Sequence, residues 1–400
     1  TVTVTAYDNA GTSLGARALP AAIPPFGRTL VTDVLRYAAA STTQQDKTGS
    51  VVVTADGPVA AHVQLTDRAS NDAFVVPGST QARSSARLMI PYASNVGAFR
   101  TWLTVRNLGT TAATVDVIAR TADGTQAGRI SALSIAPNAT YTNDDVLGTM
   151  NGTNSKVTLE VAGTGAQLIA AARVYSNGRL GGVLQGRPFT DASGSHVLGY
   201  VPDTTVESSV LYVINTEPTG AATATLELRT SQGQSLGTRN FTVPANGFVS
   251  VPDLARTLLS RTTPTQTVSS VYVTSTRALM TAGFVLSTVN SDLRLYNGHT
   301  GGGVRMVLGA AEPRTGLTVA NVGVGPATVE ISLRVDSGSA RGNPLTITIP
   351  ARGLFNAPLV LSALGAGTSS GVVEVRSLSG SPVLATARVA NDPGGATGDT

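Results

Sequence analysis

The chain has 400 residues, no cysteine and a formal net charge of +4, with 42% hydrophobic and 13% charged residues. This composition excludes a disordered chain and removes disulfides, thiolate metal sites and cysteine nucleophiles. Arg residues are scattered without a run of three and aromatics are 4%, so a basic nucleic-acid stripe is excluded too. No apolar run approaches the ~20 residues of a membrane helix, so no membrane span is predicted.

Short Val-, Ala-, Leu- and Ile-rich runs alternate with Gly and Pro along the chain, the punctuation of an all-β protein. The first run, TVTVTAYDNAG from Thr1, is a strand entering a Gly turn. ALPAAIPPFG follows, closing on a Pro turn where a missing ladder donor does no harm. TDVLRYAAAS from Thr32 predicts a short helix. SVVVTADGPVAAHVQL then reads as a hairpin, two β-rich runs about a polar loop, and AFVVPG from Ala73 as a further strand.

The same order returns three times, now with two strands in front. RLMIPY from Arg87 and TWLTVRN to Asn107 precede ATVDVIARTADG, LSIAPNA, NDDVLGTM, the paired run KVTLEVAGTGAQLIAAARVY, and GGVLQG. HVLGYVP and VLYVIN, ending at Asn215, open the third copy; VRMVLGA and GLTVAN, ending at Asn321, open the fourth. Each Asn is followed within a few residues by Gly, Thr or Pro, which predicts a turn. Thr1, Thr114, Thr225 and Thr328 align at intervals just over a hundred residues, domain-sized rather than solenoid-sized. The repeats are thus expected at 1–82, 83–195, 196–303 and 304–400, as beads on a string with a core each. About seven short strands and one short helix per repeat predict four tandem immunoglobulin-like β-sandwich domains.

Asp33, Asp144 and Asp253 stand where a carboxylate caps a helix N-terminus; the fourth copy lacks the acid. Trp102, the single Trp, is expected in the core of its domain. His62, His196 and His299 fall at non-equivalent places, so neither a metal site nor a Ser–His–acid arrangement is predicted. Asp8, Asn9 and Asp123 before glycine read as hairpin turns rather than calcium loops. Catalytic, cofactor and metal sites are all expected to be absent. The GGG of Gly301–Gly303 reads as a linker between repeats three and four.

The run Ala93–Val117, with IAPNATYTNDDVL and KVTLEV…AARVY after it, resembles the immunoglobulin-like repeat modules of bacterial exported proteins. Repeats three and four have no counterpart of its FRTW stretch. The resemblance implies an extracellular, cell-surface location and a tandem architecture, and no activity.

The first repeat lacks the two leading strands and the fourth lacks the last one. An incomplete sandwich exposes apolar core and an unpaired edge. The terminal residues Thr1, Val2, Val4 and Val389 are therefore the candidate subunit interface. The expected protein is non-enzymatic and structural, a stalk or a subunit of a bacterial surface filament or layer: either these residues are a portion of a longer array of the same repeat, or the incomplete terminal domains join it head-to-tail to its own kind by strand donation. The alternatives are a glycan- or host-binding adhesin array and the accessory domains of a secreted hydrolase. A glycan array would carry equivalent exposed aromatics, and Tyr7, Tyr141 and Tyr212 are not equivalent to one another.

Overall fold

A computed structural model describes residues 1–42, 47–66, 73–152, 155–176, 180–287, 293–311 and 313–389. The fold is all-β, and every strand pair among the described residues is antiparallel. In the first repeat the elements are β1 (Val2–Asp8), β2 (Ser13–Ala18), α1 (Val34–Ala38), β3 (Gly49–Ala55), β4 (His62–Thr66) and β5 (Ala73–Pro77). The second holds β6 (Arg87–Ser94), β7 (Phe99–Asn107), β8 (Ala113–Arg120), β9 (Gln126–Ile135), β10 (Thr140–Asn143) and α2 (Val146–Thr149). It continues with β11 (Lys156–Thr164), β12 (Leu168–Ser176), β13 (Leu180–Gln185) and β14 (Arg187–Pro188). The third holds β15 (Ser193–Asp203), β16 (Glu207–Asn215), β17 (Ala222–Arg229), β18 (Ser235–Val243), β19 (Phe248–Val251), α3 (Leu254–Leu259), β20 (Thr267–Ser287) and β21 (Leu293–Asn297). The fourth holds β22 (Arg305–Ala311), β23 (Thr315–Asn321), β24 (Ala327–Arg334), β25 (Ala340–Ile349), β26 (Leu354–Ala357), α4 (Val360–Ala363), β27 (Gly371–Ser377) and β28 (Val383–Val389).

One pairing scheme recurs. In the second repeat the sheets are β14-β6-β11-β8-β9 and β10-β7-β12-β13. The fourth repeats it as β22-β27-β24-β25 and β26-β23-β28. Period-2 alternation supplies the core: Ala113, Val115, Val117 and Ala119 of β8 are buried while the residues between them face outward. β17 and β24 place Leu226 and Ile331 in the same way. Between β7 and β8, buried Asn107 ties the turn to the end of β9: its amide donates to Thr111, Ile135 and Ala136 carbonyls, and its Oδ1 accepts from Gly109 N–H. Asn215 and Asn321 repeat the arrangement. The Asn that closes each second strand is thus a saturated buried knot, not only a turn residue.

Three expectations are corrected. The paired runs are not hairpins: β11 pairs with β6 and β8, whereas β12 pairs with β7 and β13. The chain crosses between sheets there, and β4 likewise pairs with β5 rather than β3. In the third repeat the two runs fuse into β20, whose first half pairs with β15 and β17 and whose second half pairs with β16 and β21. Alternation fixes which side of a strand is buried, not which sheet it joins.

Helix capping is the second correction. Asp145, not Asp144, caps α2 by accepting from Gly148 N–H. Asp33 and Asp253 stand at the N-caps with left-handed backbone and no capping bond. They pair instead with Arg36 and Arg256 one turn on. Helices of this length do not persist on propensity; α4 forms without an acid because Val360, Leu361 and Leu364 are buried.

Third, Trp102 is not in the core. On β7 the inward residues are Leu103 and Val105; Trp102 lies half-buried on the outer face, opposite Arg173 of β12.

Candidate interaction site at the repeat junctions

The repeats are not separate beads. The core of the second continues into the third through Tyr92, Tyr212, Phe248, Met280 and Phe284. A further apolar cluster joins Val197 and Tyr272 of the third repeat to Ala320, Leu354 and Leu384 of the fourth.

One contact builds each junction. The turn after the anchor strand closes on glycine, with the N–H of Gly11, Gly124, Gly233 and Gly338 bonded three residues back. All four glycines have positive φ, from 77° to 87°. The Pro turn of the next repeat carries left-handed Asn138, Asn246 or Arg352 at its third position, and Phe26 holds that place in the first repeat. Thr140 N–H donates to Asn9 carbonyl, Phe248 to Ala122, and Leu354 to Ser231. The fourth instance runs from the last repeat to the first: Arg28 N–H donates to Asp336 carbonyl at 3.2 Å. The carbonyls of Pro137, Ala245, Ala351 and Pro25 lie 2.0–2.5 Å from where a Cβ would stand on the four glycines. Only glycine combines that backbone with that approach. The repeats therefore meet cyclically, each turn seated on its neighbour and the fourth on the first.

Side chains distinguish the junctions. Between one and two, buried Arg106 lies over the Tyr7 ring at 4.8 Å and donates to Ser50 at 2.6 Å. Desolvation holds its guanidinium below the usual arginine range. Between two and three the contact is aromatic: Tyr92 meets Tyr212 at 5.0 Å and Phe284 at 4.3 Å. Burial pushes the Tyr212 hydroxyl up. Nearby, buried Arg187 donates to Thr281 and Gly298 carbonyls. His196, 1% exposed, sets Nε2 at 2.7 Å from Leu279 carbonyl, and desolvation lowers its pKa to about 4.

Between three and four the contact is ionic. Glu207 accepts from Tyr200 hydroxyl (2.9 Å), Arg294 (2.8 Å) and Arg388 (3.2 Å), and Arg388 also donates to Tyr200. Between four and one, Arg28 pairs with Asp336 and donates to Ser370, while Arg305 and Arg334 lie over the Phe26 ring.

Thr1 is exposed, its amine paired with Asp56. Val2 and Val4 point into the first repeat's own core, and the Val389 backbone pairs with Thr315. Thr1, Val2 and Val4 share one strand; Val389 stands on another repeat, and no pairing among the described residues joins them. Tyr7 and Tyr212 lie inside junctions, and the Tyr141 hydroxyl accepts from Asn143. His62 is exposed on β4. His299 bridges to Val197, and the Gly303 backbone bonds to Val383. Asp8 and Asp123 sit in hairpin turns. Among the described residues no three His, Asp or Glu gather as a metal site.

The Gly and Pro turns of the junctions were legible as turns, but not as partners. The signal that marks them is that both motifs recur in all four repeats.

No protein-family model matches the chain, and no curated protein matches it. Among solved structures, a β-glucuronidase from Bacteroides uniformis is 10% identical with a TM-score of 0.12, over 54% of this chain and 26% of that one. A trypsin-activated alpha-2-macroglobulin from Escherichia coli is 11% identical with a TM-score of 0.13, over 96% and 29%. The chain spans less than a third of either protein, and likeness at this level carries no argument about fold or function.

Proposed function

We propose that the chain is a non-enzymatic structural protein of the cell exterior, made of four immunoglobulin-like sandwich domains arranged as a ring. The repeated turn-on-turn contact, present four times including the step from the last repeat to the first, carries this reading. A head-to-tail contact that closes gives a ring; one that does not gives a fibre. Here both docking faces are used within one chain, which favours a ring-shaped building block over a stalk. Association with further chains then falls to the open strand edges. The extracellular placement rests on the resemblance of Ala93–Val117 to exported modules.

Spin labels on Leu30→Cys and Ser337→Cys test the ring; both positions are exposed and the chain has no other cysteine. Arg28 and Asp336 are in contact, so chain geometry puts the labelled positions within about 15 Å. Four domains in file would separate them by roughly 100 Å. A single short distance supports the ring, and a long or broad distribution refutes it.

A further inference from the structure

The outward sheet face of the second and fourth repeats is plugged where the same face of the third is open. In the second, Glu160 of β11 accepts from Arg87 of β6 at 2.6 Å and from Arg120 of β8 at 3.3 Å. In the fourth, Glu374 of β27 stands between Arg305 of β22 (2.7 Å) and Arg334 of β24 (3.8 Å). Both glutamates are buried, so each needs its two arginines there. Strand register puts Ser195, Tyr272 and Arg229 at the matching positions of the third repeat. A short serine replaces the first long arginine, and the central carboxylate is gone.

The exchange leaves a cavity of about 370 Å³ between the third repeat's sheet and the loops of the fourth. Its floor carries a row of hydroxyls on adjacent strands: Ser195 stands opposite Thr274, and Thr274 opposite Thr225. In the next row Tyr272 stands opposite Glu227, and Glu227 opposite Thr238. Val197 and Val322 add apolar wall, and Arg352 lines the cavity from the fourth repeat. Glu227 takes two bonds from Arg229 Nη2, at 2.7 and 2.8 Å, and Arg352 Nη1 lies 4.0 Å away. Thr274 and Thr238 are exposed, so the cavity is open to solvent. Its volume lies within the ~300–1,000 Å³ of ligand pockets.

We propose that this cavity binds a neutral saccharide of roughly one or two pyranose rings. Charge decides the class. A carboxylate on the ligand would meet Glu227, and an ammonium would meet Arg229 and Arg352; an uncharged polyol pays neither cost. Serine and threonine hydroxyls both donate and accept, as sugar hydroxyls do. The carboxylate of Glu227 keeps acceptor positions beyond the two Arg229 bonds, enough for a pair of neighbouring ring hydroxyls. The Arg352 guanidinium offers a donor fork to another pair. Val197 and Val322 meet the C–H surface of the ring. The site belongs to the third repeat alone and needs only the contact between the third and fourth. It stands whether or not the fourth repeat closes on the first, so the spin-label distance does not decide it.

The probes are cellobiose, maltose, lactose and N,N′-diacetylchitobiose, titrated into the full chain by calorimetry, with galacturonic acid and glucosamine as charged controls. The expected result is saturable one-to-one binding of at least one neutral disaccharide, tighter than either charged sugar. Ser195→Arg, at an exposed position, restores the arginine of the neighbouring repeats and is expected to abolish binding. Thr274→Val keeps the shape of an exposed side chain, removes the central hydroxyl of the row, and is expected to weaken binding about tenfold. Unchanged circular dichroism and amide exchange in β17 show that both variants remain folded. A hexasaccharide of the same units separates the two sources of the sugar: equal affinity identifies the end of a glycan chain, and binding of the disaccharide alone identifies a free sugar. The proposal is overturned if none of the four disaccharides binds, if a charged sugar binds more tightly, or if either folded variant binds like the parent chain.

Discussion

Gly124 carries two separable demands at the junction between the second and third repeats. Its φ is +87°, and a Cβ there would lie 2.0 Å from Ala245 carbonyl oxygen. Gly165, in the same repeat, has φ +62° and nothing within 4 Å of its would-be Cβ. Gly165→Ala therefore measures the backbone cost alone, about 1 kcal/mol for an L-residue in left-handed conformation. Gly124→Ala adds a contact no structure tolerates, so the two turns must part by more than an ångström. The bond from Phe248 N–H to Ala122 carbonyl is lost, at about 1 kcal/mol. Loosening the Tyr92–Tyr212 ring contact across the junction (5.0 Å) costs about 1 kcal/mol more. The expected total is about 3 kcal/mol, against about 1 for the control. Native-state amide exchange reads this locally: protection of the Phe248 amide should fall at least tenfold in Gly124→Ala and stay unchanged in Gly165→Ala. If both variants lose equal stability in urea, followed by Trp102 fluorescence, or if Phe248 keeps its protection, the close approach is not what holds the junction.

Two further outcomes follow from buried polar groups. His196 has its folded pKa lowered to about 4 from an unfolded value near 6.5, so the unfolded chain binds the proton first. Its contribution is intact above pH 6.5 and is lost as the pH falls towards 4, amounting to about 2 kcal/mol by pH 5. Melting temperature should drop over that window, and His196→Gln should flatten the drop; an unchanged profile in the variant would exclude this histidine as the cause. Asn321→Ala strips donors from the Gly325, Ile349 and Pro350 carbonyls, a loss of about 3 kcal/mol. Its conservative counterpart Asn321→Asp should be rescued partly at acid pH, where the carboxyl regains one donor; both are read by thermal unfolding.

The strand inventory was legible because each strand's pattern is local. β1 matches β8, β17 and β24 by alternation, and the structure gives it the same two partners on either side. The Asn knots were visible only as turns, since their carbonyl partners at Ile135, Val243 and Ile349 are 28 residues away. Sheet crossing between β11 and β12 was not legible: a short polar loop suits a hairpin and a crossover alike. Trp102 was misplaced for a related reason. Its size favours a core, but its position between Thr101 and Leu103 gives the inward side to Leu103, and only a neighbouring repeat reveals what the outward side meets. The ring was hidden because Asp336 and Arg28 are 308 residues apart, and neither turn sequence states its partner.

Cyclic contact also dictates what happens when a repeat is removed. Four equivalent steps that return to the start turn the chain by about 90° each. A chain cut to residues 83–389 retains the sheets of the last three repeats. It leaves the Pro25 side of one contact missing, so the Asp336–Gly338 turn loses its seat, and on the second repeat the Pro137 turn loses the Gly11 turn. One free turn and one free seat of matching shape, on a body three quarters of the way round, are a head-to-tail pair that cannot close within the chain. Such chains should associate with one another through that pair, by a concentration-dependent rise in mass in sedimentation, and Gly338→Ala in the shortened chain should abolish it. A shortened chain that stays monomeric at high concentration, or that associates regardless of Gly338, would mean the turn-on-turn contact follows from the linkage of the repeats and does not drive it.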